Sequence, residues 1–422
     1  MEPPHFHRSA DAVGSCPAVN SNPSAASRVS VPSQARKAAS QARLFTACTG
    51  TQLLVIQHLR RHLPVEGVRD FLLWHPLENL GLADALMRDI IAGAGFADTL
   101  DMRDFASLQP RNQGTASWVF ESTRRLRRDA TQLHGWLAAN EVDESAAELW
   151  VDDPLHFNVI FALGALRRMR RVKIPHAFNH EDVTVTGWKA SLERRARQMS
   201  WPKRHLFLPW QRRAAGIDLR TDGIDFDRAY SFDLPSPWAA DSIDVSRLIS
   251  LDAFAATYAA LPAALRDEVE AILAPIRAAP RPLVVLLLFG LHDGPGPDLR
   301  PIYRKALQRI FIERGDGLAA GSLAVKAHPA AHGREEAAFV DRLRDDLPVP
   351  VLPLLHGLNL ELMLPQLRPD YVTAGLCGGL PIVRRLAVGR AVALAEMIDL
   401  YLVEHPDERE AVHEFLRGIE IW

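Results

Sequence analysis

Short apolar runs of strand length alternate with longer stretches of helical periodicity, and the alternation occurs in two successive series. Nothing else in the chain restricts its fold as much, because strands alternating with helices imply βαβ units and mostly parallel sheets. The first series reads Arg43–Cys48 as a strand, Thr49-Gly50-Thr51 as a turn and Gln52–His62 as an amphipathic helix. It continues through Gly67–Trp74, Gly81–Gly93, Phe96–Leu100, a helix carrying Arg124, Arg125, Arg127 and Arg128, then Glu148–Val151, His156–Arg168 and Val172–Phe178. The second has strands at Leu283–Phe289, Ser322–Ala327, Val349–Leu352, Tyr371–Ala374 and Ala391–Ala395. Helices are predicted between them near Leu299–Glu313, Arg334–Asp345, Leu358–Leu364 and Gly379–Leu386.

A chain of 422 residues exceeds one ordinary core, since domains run to roughly 100–200 residues. The helix-hostile segment Ala278-Ala279-Pro280-Arg281-Pro282 is the predicted boundary. The expected organisation is a disordered Ser/Ala/Pro-rich tail over 1–42, a first domain over 43–279 and a second over 280–422. The first domain includes a less regular connecting region from Ser191 to Ala279, with two helical stretches after Leu251. A hydrophobic share of 48% and a charged share of 24% fit a globular protein, and a net charge of −2 argues against nucleic acid as a partner. Three cysteines, Cys16, Cys48 and Cys377, leave one unpaired in any disulfide scheme. They fit reduced thiols and a cytoplasmic location. No apolar run approaches the ~18 residues of a membrane span.

Open parallel sheets bind ligands in the crevice beyond the carboxyl ends of their strands, so the loops after strands are where chemistry is expected. Lys326-Ala327-His328-Pro329 stands at the end of the second strand of the second series. Proline ends ladder pairing there, which turns the His328 imidazole toward the crevice as a donor to a phosphate. Lys326 lies on the same side of the strand and adds positive charge. The rival reading is an ordinary strand-end histidine. Downstream come Pro353, Glu361, the run Leu367-Arg368-Pro369-Asp370-Tyr371-Val372, and Cys377-Gly378-Gly379 at a helix start.

This ordered set resembles the nucleotide-binding half of the bacterial sialyltransferases, including polysialyltransferases, whose hallmark is a His-Pro motif. The resemblance spans about residues 43–400 and implies a GT-B-type α/β fold, two Rossmann-like domains facing a cleft. It implies that His328, with Lys326 and Pro329 beside it, contacts the phosphate of a CMP-sugar donor. Glu361 would hold the ribose or cytosine, and Cys377, Gly378 and Gly379 would receive the phosphate. Those enzymes carry Ser or Thr hydroxyls at the last site, which this chain lacks; backbone N–H groups at a helix start still bind anions, and glycines permit close approach. The family's acidic pair followed by glycine is matched by Glu181-Asp182-Val183, with Val183 in place of the glycine. Asp182 is the expected catalytic base and Glu181 its reserve. Asp152-Asp153 competes for the role, although it can instead cap the next helix. Thr49, Gly50 and Gln52 match the family's opening turn, a contact to donor or acceptor; Asp293 is a further carboxylate after a strand.

The expected function is therefore a glycosyltransferase moving sialic acid or a related acid sugar from a CMP-activated donor to a glycan or glycolipid acceptor. It would invert configuration, with no metal and no cofactor beyond the donor. Two alternatives stay open: transfer of another CMP-activated sugar such as Kdo, and a non-catalytic capsule or lipopolysaccharide assembly protein. No Walker loop, GxGxxG, HExxH or paired CxxC supports other enzyme classes. The Arg clusters at 124–128, 167–171 and 194–197 read as solvated helix faces, or else as contacts to a polyanionic acceptor or an anionic membrane surface, a peripheral membrane association.

Overall fold

The computed structural model describes residues 42–76, 84–108, 117–152, 157–175, 178, 201, 203–219, 224–232, 239–288, 298–313, 317–327, 334–354 and 358–422. Two sheets stand out, and every strand pairing in them is parallel. The first contains β1 (Ala42–Ala47), β2 (Arg69–Trp74), β3 (Asp98–Asp101), β4 (Ala147–Val151), β5 (Arg170–Lys173), β6 (Arg228–Ser231) and β7 (Ser242–Asp244), in the order β3-β2-β1-β4-β5-β6-β7. The second contains β8 (Leu283–Leu287), β9 (Ser322–Lys326), β10 (Val351–Pro353), β11 (Tyr371–Ala374), β12 (Arg390–Ala393) and β13 (Glu420–Ile421), in the order β10-β9-β8-β11-β12-β13. In each sheet the chain starts in the middle, winds to one edge, returns and winds to the other. That is the doubly wound, Rossmann-like topology, present twice.

The central strands explain why. Every residue of β1, β4, β8 and β9 is buried, as parallel strands covered by helices on both faces require. Pro353 is tolerated because β10 is an edge strand, where a missing N–H breaks no ladder. Gly321, just before β9, lies so close to β8 that a Cβ there would stand 2.1 Å from the Pro282 carbonyl oxygen. Its lack of a side chain lets the Ser322 N–H reach that same oxygen at 3.0 Å and start the pairing.

The region expected to be irregular, Ser191–Ala279, is only partly so. It contributes β6 and β7, which extend the first sheet, besides the two expected helices Leu251–Ala259 and Ala263–Arg277. The two-residue edge strand β13 was likewise not predicted.

Helix Gly50–His62 of the first sheet packs on helix Leu251–Ala259, and that helix and Ala263–Arg277 pack on helix Leu360–Leu367 of the second. One apolar core runs through all of them, joining Phe45 and Leu53 to Phe254, Leu273, Leu283 and Leu364. The Arg385 guanidinium adds donors to the carbonyls of Phe232 and Ser246, 3.3 and 2.8 Å away. At this junction the His58 ring is fully buried. Its Nε2 lies 3.0 Å from the Leu248 carbonyl and its Nδ1 2.7 Å from the Thr257 hydroxyl, with Phe254 stacked against it.

Candidate functional site

In the second sheet the strand order reverses between β8 and β11, and the crevice at such a reversal is where open α/β sheets take ligands. The register aligns Lys326 of β9 with Leu287 of β8, and Leu287 with Ala374 of β11. Lys326 therefore sits in the last row of the sheet, beside the reversal. Its side chain is buried, and its ammonium donates to the Ala327 carbonyl at 3.1 Å, leaving two of its three donors for another partner.

Two further predicted residues join it. Glu361 lies in the first turn of helix Leu360–Leu367, and Cys377 immediately precedes Gly378 and helix Gly379–Leu386. The three side chains act on one another electrostatically. Burial pulls the Lys326 ammonium down to about 8, while the Glu361 and Cys377 anions pull it back up. Burial pushes the Glu361 carboxyl up, opposed by a backbone N–H and by Lys326. The Cys377 thiol is also pushed up by burial, opposed by the Gly379 N–H and assisted by Glu361. Sequence motifs 51 residues apart thus converge on one group, a buried lysine with a half-buried carboxyl and a half-buried thiol.

The turn at Cys377 offers fewer anion donors than a free helix start. The Leu380 N–H already binds the Cys377 carbonyl at 3.0 Å, the Gly379 N–H turns on the Cys377 sulfur, and Pro381 has none. Gly379 packs directly on β8, since a Cβ there would be 3.0 Å from Leu287 Cδ1. Among the described residues of this grouping, Lys326 is the cation. Of the remaining residues predicted here, His328 and Pro329 lie outside the described residues, as does Asp293.

In the first sheet the reversal falls between β1 and β4, placing Thr49, Gly50 and Gln52 after one strand and Asp152 after the other. Thr49 caps helix Gly50–His62: its hydroxyl accepts from the Gln52 N–H at 3.2 Å. The Gln52 side-chain oxygen accepts from the N–H groups of Cys48 and Thr49, at 2.6 and 3.0 Å, and from the Cys48 thiol at 2.9 Å. Gln52 is buried, so its amide oxygen is committed to shaping the turn. Asp152 is also buried, 1% exposed. Asp182, Glu181 and Asp153 lie outside the described residues.

A depression of about 430 Å³ runs between helices Arg300–Gln308 and Arg334–Asp346. Two of its cations pair locally, Arg304 with Asp346 and Arg300 with Asp298. Among the described residues no group of three or more His, Cys, Asp or Glu is arranged to hold a metal ion. No helix among them is long and apolar enough to cross a membrane.

No family model matches the chain, and no curated protein matches it. Solved structures similar to it include a putative UDP-N-acetylglucosamine 2-epimerase from Listeria monocytogenes, at 11% identity, covering 90% of this chain and 92% of that one, with a TM-score of 0.46. The GT-B domain of a sialyltransferase from Photobacterium damselae is 12% identical over 90% of this chain and 99% of that one, with a TM-score of 0.45. A UDP-glucosyltransferase from Polygonum tinctorium is 11% identical over 90% and 84%, with a TM-score of 0.43. Likeness at this level says nothing of donor, acceptor or reaction.

Proposed function

We propose that the chain is a glycosyltransferase that moves sialic acid or a related acid sugar from a CMP-activated donor to a glycan or glycolipid hydroxyl. The observation carrying the proposal is the Lys326, Glu361 and Cys377 grouping beside the strand-order reversal of the second sheet. A buried lysine at the sheet's carboxyl edge suits a phosphate monoester, whose charge is stronger than that of a carboxyl raised by burial. A carboxyl raised by burial suits the neutral hydroxyls and ring edge of a nucleoside.

The acceptor oxygen attacks the anomeric carbon as the bond from that carbon to the CMP phosphate oxygen breaks. The electron pair leaves with CMP, and the acceptor proton passes to Asp182. Lys326 and His328 stabilise the charge growing on the departing phosphate. Attack opposite the leaving group inverts the anomeric configuration, and a monophosphate leaving group needs no metal to neutralise it.

The test combines CMP titration with CMP-sugar turnover. Wild type is expected to bind CMP and release it from a CMP-sugar in the presence of acceptor. His328→Ala should lose about 10²–10³ in kcat and Asp182→Asn about 10²–10⁴, the Asp182 variant retaining CMP affinity. Absence of CMP binding to folded wild-type protein would overturn the donor. Binding without turnover, unchanged by Asp182→Asn, would make the chain a nucleotide-sensing assembly protein.

A further inference from the structure

A second functional surface lies in the part of the first lobe that packs on helix Ser117–Ala139. Residues Lys203–Phe207 form a π-helical turn that runs directly into helix Leu208–Ala215. Its inward face is Leu208, Gln211 and Ala215, all buried at helical spacing. The opposite stripe, at intervals of three, four and three, is Lys203, Leu206, Trp210 and Arg213, all exposed. Trp201, just before the turn, is 64% exposed and Leu206 58%. Trp210 is 37% exposed. Their rings are held by neighbours: Trp201 against His205 at 5.2 Å between centroids, and Trp210 stacked on Phe207 at 6.2 Å.

An outward face normally carries charge, and holding two indoles in water loses the burial those rings would gain elsewhere. Both charges of the stripe are positive, Lys203 and Arg213 at its two ends, and the packed helix Ser117–Ala139 exposes Arg124, Arg127 and Arg128 besides Glu121, which pairs with Arg125. Indoles settle at the headgroup level of a bilayer, where their apolar rings and N–H groups are both satisfied, and basic side chains add attraction to anionic lipids. A short helix of this kind lies in the plane of the interface and need not span it.

We propose that the face formed by Trp201, Leu206 and Trp210, framed by Lys203 and Arg213, docks the protein on the headgroup region of an anionic lipid bilayer. The proposal stands apart from the donor assignment, because it rests on other residues and is read without turnover.

Flotation of the full chain with vesicles of phosphatidylcholine, with and without phosphatidylglycerol, tests it. Wild type should float with the anionic vesicles, and binding should weaken as salt rises. Trp201→Ser with Trp210→Ser should cost about tenfold or more in partitioning. Lys203→Gln with Arg213→Gln should cost about fivefold per charge removed. Lys203 and Arg213 are exposed, so the charge variant should keep the wild-type unfolding midpoint, and circular dichroism at the assay temperature checks that the tryptophan variant, which loses the Trp210–Phe207 stack, is folded. As a readout on unmutated protein, brominated lipid should quench tryptophan fluorescence in anionic vesicles. The idea is overturned if wild type does not bind, if both variants bind as wild type does, or if quenching is absent. It is equally overturned if the protein forms a dimer that the tryptophan variant abolishes while vesicles are ignored.

Discussion

Acid should loosen the junction between the lobes through one residue. The ring of His58 is sealed among Phe178, Phe254 and Thr257, and burial, assisted by the neighbouring His62, pulls it from 6.5 down to about 3. A base whose folded value lies below its unfolded value stabilises the fold only while neutral. Its contribution is complete above pH 6.5 and is lost progressively as pH falls toward 3. That lowering corresponds to about 5 kcal/mol in full, of which about 2 kcal/mol is lost by pH 5. Equilibrium urea unfolding at pH 7.5 and pH 5.0 measures this directly, with His58→Gln as the control that cannot take the proton. The variant starts less stable, having lost part of the contact to Leu248 or Thr257. Between the two pH values the wild type should lose about 2 kcal/mol more than the variant. Equal losses in the two proteins would refute the reasoning.

Other expectations follow from the same geometry. Asp70 accepts from Arg43 and Arg60 at 2.7–2.8 Å in a mostly buried cluster at the amino end of the first sheet, so Asp70→Ala should cost about 3 kcal/mol by leaving two guanidiniums uncompensated. Urea midpoints measure that cost, and CMP affinity of the folded variant should not change. With its thiol pushed up by burial, Cys377 should react with iodoacetamide more slowly than an ordinary surface thiol at pH 7.5. Peptide mass spectrometry over time follows the alkylation, and a rate equal to that of a free thiol would contradict the burial. Because the Lys326 ammonium in the free protein titrates near 8, CMP affinity should stay level between about pH 7 and that value, where the phosphate monoester is already a dianion, and fall up to about tenfold per unit above it. Calorimetry should find Lys326→Met weaker and nearly flat across the same range.

Period and burial made the sheets legible. Apolar runs such as Leu283–Leu287 and Ala147–Val151 have no polar residue at core positions apart from Glu148, and their spacing announced parallel strands before any coordinate. Helix Gly379–Leu386 begins and ends where the glycines and basic residues predict. β6 escaped because Arg228-Ala229-Tyr230-Ser231 has one small apolar residue and one tyrosine, and pairing in the sheet overrides its weak pattern. Two-residue β13 has no pattern to read. The Thr49-x-x-Gln52 spacing is itself a capping-box signature, and that local rule accounts for both side chains without a ligand. Lys326 was legible from its place at a strand end and Glu361 from the resemblance, which assigns both regions to one donor. The parallel register of β9 against β8 fixes Lys326 in the last row of the sheet, and the fold brings Glu361 within electrostatic reach of it.

The decisive measurement is a crystal structure of the full chain with CMP. The account predicts the nucleotide at the carboxyl edge of the second sheet, its phosphate within about 3 Å of the Lys326 ammonium and the His328 imidazole, with Glu361 on the nucleoside. CMP seated on the first sheet, or a second-sheet edge that stays closed around Lys326 and Glu361 at saturating CMP, would contradict it.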